Sequence, residues 1–363
     1  MEMTDGNHKH VLICVLDWGL GHATRCVPVI KCLLDKQLKI SIAGNGASLD
    51  LLKKEFSGLS FYELPSYSVR YTSTGFFFIN LFFQIPKILN AIRKEKLETE
   101  QLVKNIKADV IISDNRYGCY CEHVHSVFIT HQLNIQLPLV ISWAGFLVNF
   151  LHHFLIKNFD ACWVPDQPQH VLTGKLTESK NLNTRFVGVL SRFNYKSVPV
   201  DENLIVGLVS GPEPQRTLFE RKLITEFKTL HQPSVIVRGL PQAGHIQTQE
   251  GNLTLLTHLA GNELEELIAW AHVVVARSGY STVMDLYALR KKQMILIPTP
   301  GQTEQEYLAS ELCRRKIAVT KKQEHFDIKV ALKEVVKYSG FVNENGRINL
   351  LADAVDSLLT RVK

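Results

Sequence analysis

Residues 272–310 read HVVVARSGYSTVMDLYALRKKQMILIPTPGQTEQEYLAS, and their pattern decides the fold. The apolar run HVVV predicts a strand. Ser278-Gly279 then predicts a turn that opens an amphipathic helix, with Asp285 two turns in. A second apolar run, MILIPTP, and a second helix start, GQTEQEYLAS, repeat the unit. Strands apolar on both faces and separated by helices predict a parallel sheet covered on both sides.

The alternation extends outward in both directions. Upstream lie LIVGLVS, PSVIVRG and LTLLTHL, and before them HVLICVL, LKISIAG (38–44), ADVIISD (108–114), SVFITHQ (126–132) and DACWVPD (160–166). Helices are expected over Thr24–Leu34 and around Ser48–Phe56. The polar, proline-bearing stretch NYKSVPVDEN (194–203) predicts a linker between an N-terminal domain (1–193) and a C-terminal domain (204–345). The amphipathic end of the chain (346–363) is expected to form a helix able to pack back on the N-terminal domain. The expected architecture is α/β, with two doubly wound Rossmann-like domains facing a cleft. Parallel α/β sheets bind ligands at the carboxyl ends of their strands, which selects the loops at 17–22, 114–118, 210–216 and 277–280.

The bulk numbers set limits. At 363 residues the chain exceeds one ordinary core, and 45% hydrophobic with 21% charged residues is usual for a globular protein. No uncharged apolar run reaches the roughly 18 residues of a membrane span. The start, MEMTDGNHKH, lacks the apolar core of a signal peptide, so a cytoplasmic protein is expected. A net charge of +6 suits anionic substrates or an acidic membrane surface, and its dispersal argues against nucleic acid. Seven scattered cysteines argue against a disulfide framework. On a helix, Cys119/His123 and Cys121/His125 would be i,i+4 pairs of zinc-binding spacing. No second ligand pair appears, so buried thiols beside ordinary histidines are the expectation, with no metal.

The first glycine loop, DWGLGHATRC (17–26), is ambiguous alone. Gly19 and Gly21 allow a tight turn and close backbone approach to a ligand. A dinucleotide site would want a third glycine and an acidic residue after the second strand; Arg25 and GNGAS stand there instead. His22 suits a base or a donor to a developing charge, or simply a helix start. Asp114, ending a strand at the ligand edge, is a second candidate base, or a turn cap. In the other half, Ser278 and Gly279 suit a diphosphate at an electropositive helix start. Asp285 suits the two hydroxyls of a ribose, and Gln305 with Glu306 suit sugar hydroxyls.

Together, ARSGYSTVMDLYAL, IPTPGQTEQEYLA and the N-terminal GLGHATR resemble the GT-B glycosyltransferases of family 28. That family includes the N-acetylglucosamine transferase acting on the lipid-linked peptidoglycan precursor. The resemblance implies a UDP-sugar donor and a lipid- or glycan-linked acceptor such as a cell-envelope glycan; no DxD-type motif lies near the diphosphate loops, so no metal or other cofactor is expected. On the donor side it implies Gly21, Arg192 at the domain junction, Ser210 and Gly211 in VSGPEPQR, and Leu259 or Ala260 near uracil. It also implies Ser278, Gly279 and Thr282 at the diphosphate, Asp285 at the ribose, and Gln305 with Glu306 at the sugar. Pro212 and Pro214 remove two N–H donors from the first phosphate loop, and Arg216 is the candidate to replace the lost positive charge. On the acceptor side it implies His131, Gln132 and Asn134 in THQLN; Asp17, Gly19 and Arg116 are expected there from their loops at strand ends, SDNRYG having no close match in the family.

GFFFINLFFQIPKILNAIRKEK (75–96) and WAGFLVNFLHHFLI (143–156) are strongly apolar and too short to span. Both suit core helices, or helices lying in an anionic membrane surface on the inner face of the cytoplasmic membrane. Three functions stay open at this level. The first is an inverting transfer with His22 or Asp114 as base. The second is a UDP-sugar hydrolase, since GLGHATRC also resembles the G-x-G-H-x-x-R-C loop of the pseudaminic acid pathway hydrolase, with a 2-epimerase more distant. The third is a non-catalytic nucleotide-sugar-binding module.

Overall fold

The computed structural model describes residues 9–67, 77–179, 181–240, 244–341 and 349–361, with residues 77–85 and 139 described by their backbone. The described chain divides between Leu190 and Ser191 into two compact units, and its last helix returns to the first.

The first unit contains strands β1 (His10–Val15), β2 (Lys39–Gly44), β3 (Ser60–Glu63), β4 (Val110–Asp114), β5 (His125–Ile129), β6 (Ala161–Val164) and β7 (Thr184–Phe186). They form one parallel sheet in the order β3-β2-β1-β4-β5-β6-β7. Helices α1 (Leu20–Asp35), α2 (Gly46–Glu55), α3 (Phe77–Ile106) and α4 (Gly145–Ile156) belong to it. Central strands β1 and β4 are buried along their whole length, which is why they read as unbroken apolar runs.

The second unit contains β8 (Asp201–Leu208), β9 (Ser234–Val237), β10 (Gln247–Glu250), β11 (Leu253–Leu256), β12 (Ala271–Ala276), β13 (Gln293–Leu296) and β14 (Val319–Thr320). Their order is β10-β11-β9-β8-β12-β13-β14, parallel except for the edge strand β10. Helices α5 (Gln215–Phe227), α6 (Gly261–Trp270), α7 (Tyr280–Ala288), α8 (Thr303–Arg314) and α9 (Ile328–Val335) accompany the sheet. Phe219, Leu223 and Phe227 of α5 close on Ile205, Val273, Val275 and Ile295 of the strands. Each such side chain taken from water contributes about 2 kcal/mol.

The final helix, α10 (Leu350–Arg361), buries Ala354, Val355 and Leu358 in the first unit beside α1. Lys36 Nζ reaches Asp356 Oδ1 at 2.5 Å, Lys9 donates to the carbonyl of Leu359 at 2.6 Å, and Arg185 to that of Asp353 at 2.9 Å.

Several expectations change. Helix α1 begins at Leu20 rather than Thr24, because Gly19 takes φ +105° and turns the chain directly off β1. Strand β8 begins at Asp201, inside the stretch read as linker, with its first three polar residues exposed. Residues 119–125 form a turn bridged between Cys121 and Val124, not a helix, so the i,i+4 thiol–imidazole pairs do not form. Cys119 is buried against Thr99, while His125 opens β5 and faces Asp160. Among the described residues, no three His, Cys, Asp or Glu side chains gather as a metal site, and no helix is long and apolar enough to cross a membrane. Part of the apolar stretch 75–96 lies outside the described residues. Beyond it, α3 packs inward through Ile92, Glu95, Thr99 and Val103.

Candidate functional site

In each sheet the chain order reverses beside the first strand, between β1 and β4 and between β8 and β12. Open α/β sheets bind ligands outside the carboxyl ends at such a point.

In the first unit, Asp114 ends β4 in register with Val15, the last residue of β1. Helix α1 starts five residues after Val15, and its first turns carry His22 and Arg25 on one face. Both converge on Asp114, which is fully buried. His22 Nδ1 lies 2.7 Å from Asp114 Oδ2, and Arg25 Nε donates to Asp114 Oδ1 at 2.5 Å. Arg25 Nη1 meets His131 Nδ1 at 2.9 Å, just beyond the end of β5. Arg25 Nη2 also approaches His22 Nδ1 at 2.9 Å, but one nitrogen cannot both donate to Asp114 and accept from Arg25. The shorter, charge-assisted contact to the carboxylate decides the tautomer: Nδ1 carries the proton, and Nε2 presents a lone pair. The imidazole keeps 14% of its side-chain surface exposed.

The electrostatics agree with that assignment. Burial, with Arg25 adding to it, holds the His22 pKa below the ordinary histidine value against the opposing pull of Asp114. For Asp114, burial alone would raise the carboxyl; the charge of Arg25 and the His22 contact outweigh it and keep the group below the usual range. The site therefore holds a neutral imidazole on an ionised carboxylate at neutral pH. Asp114, with both oxygens engaged and no exposed surface, stands behind His22 rather than beside it.

Several other residues expected on the acceptor side meet protein partners. Arg116 is buried: its Nε donates to Glu95 at 2.6 Å, and its terminal nitrogens to Asn45 Oδ1 and the carbonyls of Val15 and Pro65. Asn115 at φ +53° turns the chain so that Arg116 points inward. Asp17 accepts from the backbone N–H of Ser48 and so caps α2; a side chain on Gly46 would collide with its carboxylate. Asn134 gives its amide protons to the carbonyls of Lys175 and Glu178, pinning a loop. The carbonyl of Gln132 accepts from His152 Nε2. Gly19 remains exposed at the start of α1, with Gly21 half-buried in its first turn.

In the second unit, Ser278, Gly279 and Gln305 come together. Ser278 Oγ donates to the carbonyl of Gln305 at 2.8 Å, and the Gln305 amide is fixed by Thr299 N–H and Gln302 Oε1. Gly279 is the N-cap of α7, and Thr282 follows in its first turn. Glu306 accepts from Gly301 N–H through one oxygen. Ser191 Oγ donates to Asp285 Oδ1 at 2.6 Å, and Arg192 acts electrostatically on the same carboxylate. Burial raises the Asp285 pKa to about 6. Arg192 Nε is buried without a hydrogen-bond partner near Gly261, at the start of α6.

Two donor-side expectations are corrected. Arg216 is paired with Glu213 and Glu220 at 2.6 and 2.5 Å, so its charge is spent inside the protein and does not replace the prolines' lost donors. Ser210 and Gly211 stay exposed in that loop. The N–H of Ala260 is taken by Glu263, and Leu259 is half-buried beside it.

Two residues escaped the sequence reading. Arg25 lies at i+3 from His22, a spacing that places both on one helical face. Arg277 follows an apolar strand directly and is buried under the Ser-Gly turn, held by the carbonyls of Gln215, Ile297 and Pro298 and by Gln323 Oε1. Among the described residues it has no carboxylate partner, and burial lowers its pKa to about 9.

Comparison with known proteins follows the same division. Residues 238–351 match the family model for the glycosyltransferase family 28 C-terminal domain. An uncharacterized glycosyltransferase of Methanosarcina acetivorans is 23% identical over 95% of this chain and 92% of its own length. Among solved structures, the glycotransferase of kitacinnamycin superposes with TM-score 0.67 at 14% identity, covering 98% of this chain and 100% of that one. MurG of Acinetobacter baumannii does so with TM-score 0.56 at 13% identity, over 97% and 99%. Family model, sequence relatives and fold agree on glycosyltransferases of GT-B architecture.

Proposed function

We propose that the protein is an inverting glycosyltransferase. It would move a sugar, N-acetylglucosamine being the one the family resemblance suggests, from a UDP donor to a hydroxyl on a lipid- or glycan-linked acceptor. The observation that carries this reading is the neutral His22 imidazole, oriented by Asp114 and Arg25 at the switch point of the first sheet.

In this mechanism the acceptor oxygen attacks the anomeric carbon and gives its proton to His22 Nε2. The bond from that carbon to the diphosphate oxygen breaks, and UDP leaves with the electron pair. Asp114 stabilises the imidazolium that forms, as a buried carboxylate behind a catalytic histidine does. The N–H groups at the start of α7, with Ser278 and Gly279, receive the diphosphate. Asp285 accepts from the ribose hydroxyls, and Arg192 lies beside it. Gln305 and Glu306 line the sugar, and metal is not required in this scheme. Peripheral contact with an anionic membrane on the cytoplasmic side belongs to the same proposal.

The test is UDP release from labelled UDP-sugars, with and without a membrane lipid extract. Release that depends on the extract supports transfer; release into water alone would make the protein a hydrolase. His22→Ala is expected to lower kcat at least about 100-fold with UDP affinity unchanged. Asp285→Ala is expected to weaken UDP binding about tenfold or more. Normal UDP binding by Asp285→Ala would refute the donor site.

A further inference from the structure

Helix α4 is apolar on both faces. Its protein-facing side buries Ile156 in the core and is tied down by three polar side chains. Asn149 accepts from Ile135 N–H at 2.7 Å and donates to the Ile135 carbonyl at 3.2 Å. His152 Nε2 donates to the Gln132 carbonyl at 2.8 Å, and its Nδ1 accepts from the Tyr117 hydroxyl at 2.9 Å. His153 Nε2 donates to the Leu133 carbonyl at 2.9 Å. These bonds set the rotation of the helix about its own axis. The outward side is apolar: Val140 and Trp143 in the preceding turn, then Phe146, Leu147, Phe150 and Phe154, each 60–86% exposed. Their spacing of three and four residues draws one stripe. A contiguous apolar patch of large side chains is a binding surface in a soluble fold.

The charge around this stripe indicates what covers it. The chain carries no Asp or Glu from Leu64 to Lys94 and none from His123 to Phe159, although about one residue in ten is acidic overall. Leu155 of α4 packs on the cluster of Leu16, Tyr67 and Ile92, on which Ile88, Leu89 and Ala91 of α3 also pack. The same part of α3 exposes Lys87 and Arg93, with Lys94 exposed and 3.7 Å from Glu98, and Lys157 is exposed at the end of α4. An aromatic stripe bordered by bases and lacking carboxylates matches the headgroup layer of an anionic bilayer. A second copy on this face would bring like charges together.

We infer that the Val140–Phe154 face seats in the surface of an anionic lipid bilayer, with α4 lying in the interface plane. The inference rests on the membrane-facing part of the proposed function. Its assay needs no turnover, so its failure would leave the transferase chemistry standing.

The experiment is co-sedimentation of the full chain with phosphatidylglycerol-containing vesicles and with pure phosphatidylcholine vesicles. Binding to the anionic vesicles is expected, weakened by salt, with a blue shift of tryptophan emission that Trp143→Phe removes without abolishing binding. The double variant Phe146→Ser/Phe150→Ser is expected to lose roughly 100-fold in partitioning, about tenfold per aromatic side chain. Leu218→Ser, an exposed apolar position of the second unit, should bind like the parent. Thermal unfolding checks that the double variant stays folded, as its exposed positions predict. No binding by the parent chain, equal binding by the double variant, or a parent dimer that the double variant dissolves would each overturn the inference.

Discussion

At Asp114 two donors meet one carboxylate, and a neutral amide could not serve both. An asparagine there can keep its oxygen toward Arg25, but its NH2 group then faces His22 Nδ1. The imidazole would adopt the other tautomer, with the proton on Nε2, where the base must be free. Asp114→Asn is therefore expected to lower kcat by about 10³-fold while UDP affinity stays within twofold, measured by steady-state kinetics and calorimetry. A fall of less than tenfold would remove Asp114 from its orienting role. Asp285 supports a second test at this scale. Its pKa is raised to about 6, so the charged form that accepts from ribose hydroxyls is complete above about pH 7 and lost as pH falls through 6. Uridine, which lacks the diphosphate and its own titration, isolates this group. Its affinity should be flat above pH 7 and fall below 6, and Asp285→Asn should flatten the profile. A pH-independent affinity in the parent chain would exclude the carboxylate from the ribose site.

Helix α3 and the loop after β4 are joined by a buried pair that no local pattern announces. Arg116 and Glu95 are separated by about three helix turns, the helix end and a strand. Glu95 also accepts from the Tyr67 hydroxyl and from Gly118 N–H. Glu95→Gln would leave the guanidinium buried and uncompensated, a loss of about 3–5 kcal/mol measurable by urea unfolding. The exposed pair Lys31–Glu55 should contribute under about 1 kcal/mol in the same assay. This contrast marks what the sequence makes legible. The buried strands and the turns after them could be read, because burial on both faces writes an unbroken apolar run and a glycine marks the exit. The short edge strands β3, β7 and β10 could not, since half-exposed or wholly exposed ladders leave no such run, and β14 has only two residues. Among candidate site residues, His22, Asp114, Ser278 and Asp285 stand out in the sequence at strand ends and helix starts. Arg116, Asp17 and Arg216 read as ligand-facing but meet protein partners, because a charged residue in a loop looks the same whether it meets a ligand or a buried partner. Only distance in three dimensions separates the two.

Both units have a sheet whose order reverses beside its first strand, and the two reversals differ in chemistry. In the proposed mechanism the first unit supplies the base and the second the groups suited to a nucleotide. The ends of the chain cooperate in the first unit alone, because α10 closes on α1 and buries Val355 and Leu358 there. Removing residues 349–363 would expose that surface at about 1.5–3 kcal/mol for each of those two side chains. Hydrogen exchange read by peptide should then show loss of protection along β1 and α1. Peptides of β12 and α7 in the second unit should keep theirs and should still gain protection on UDP addition at 277–285. Ligand binding stabilises only the state that holds it, so UDP at 100 times its Kd should protect those amides by up to about 2.7 kcal/mol. UDP protection confined to the β1–α1 turn in the full chain would reverse the assignment of the two sites. An even loss of protection across both units on truncation would show that α10 supports more than the unit it packs in.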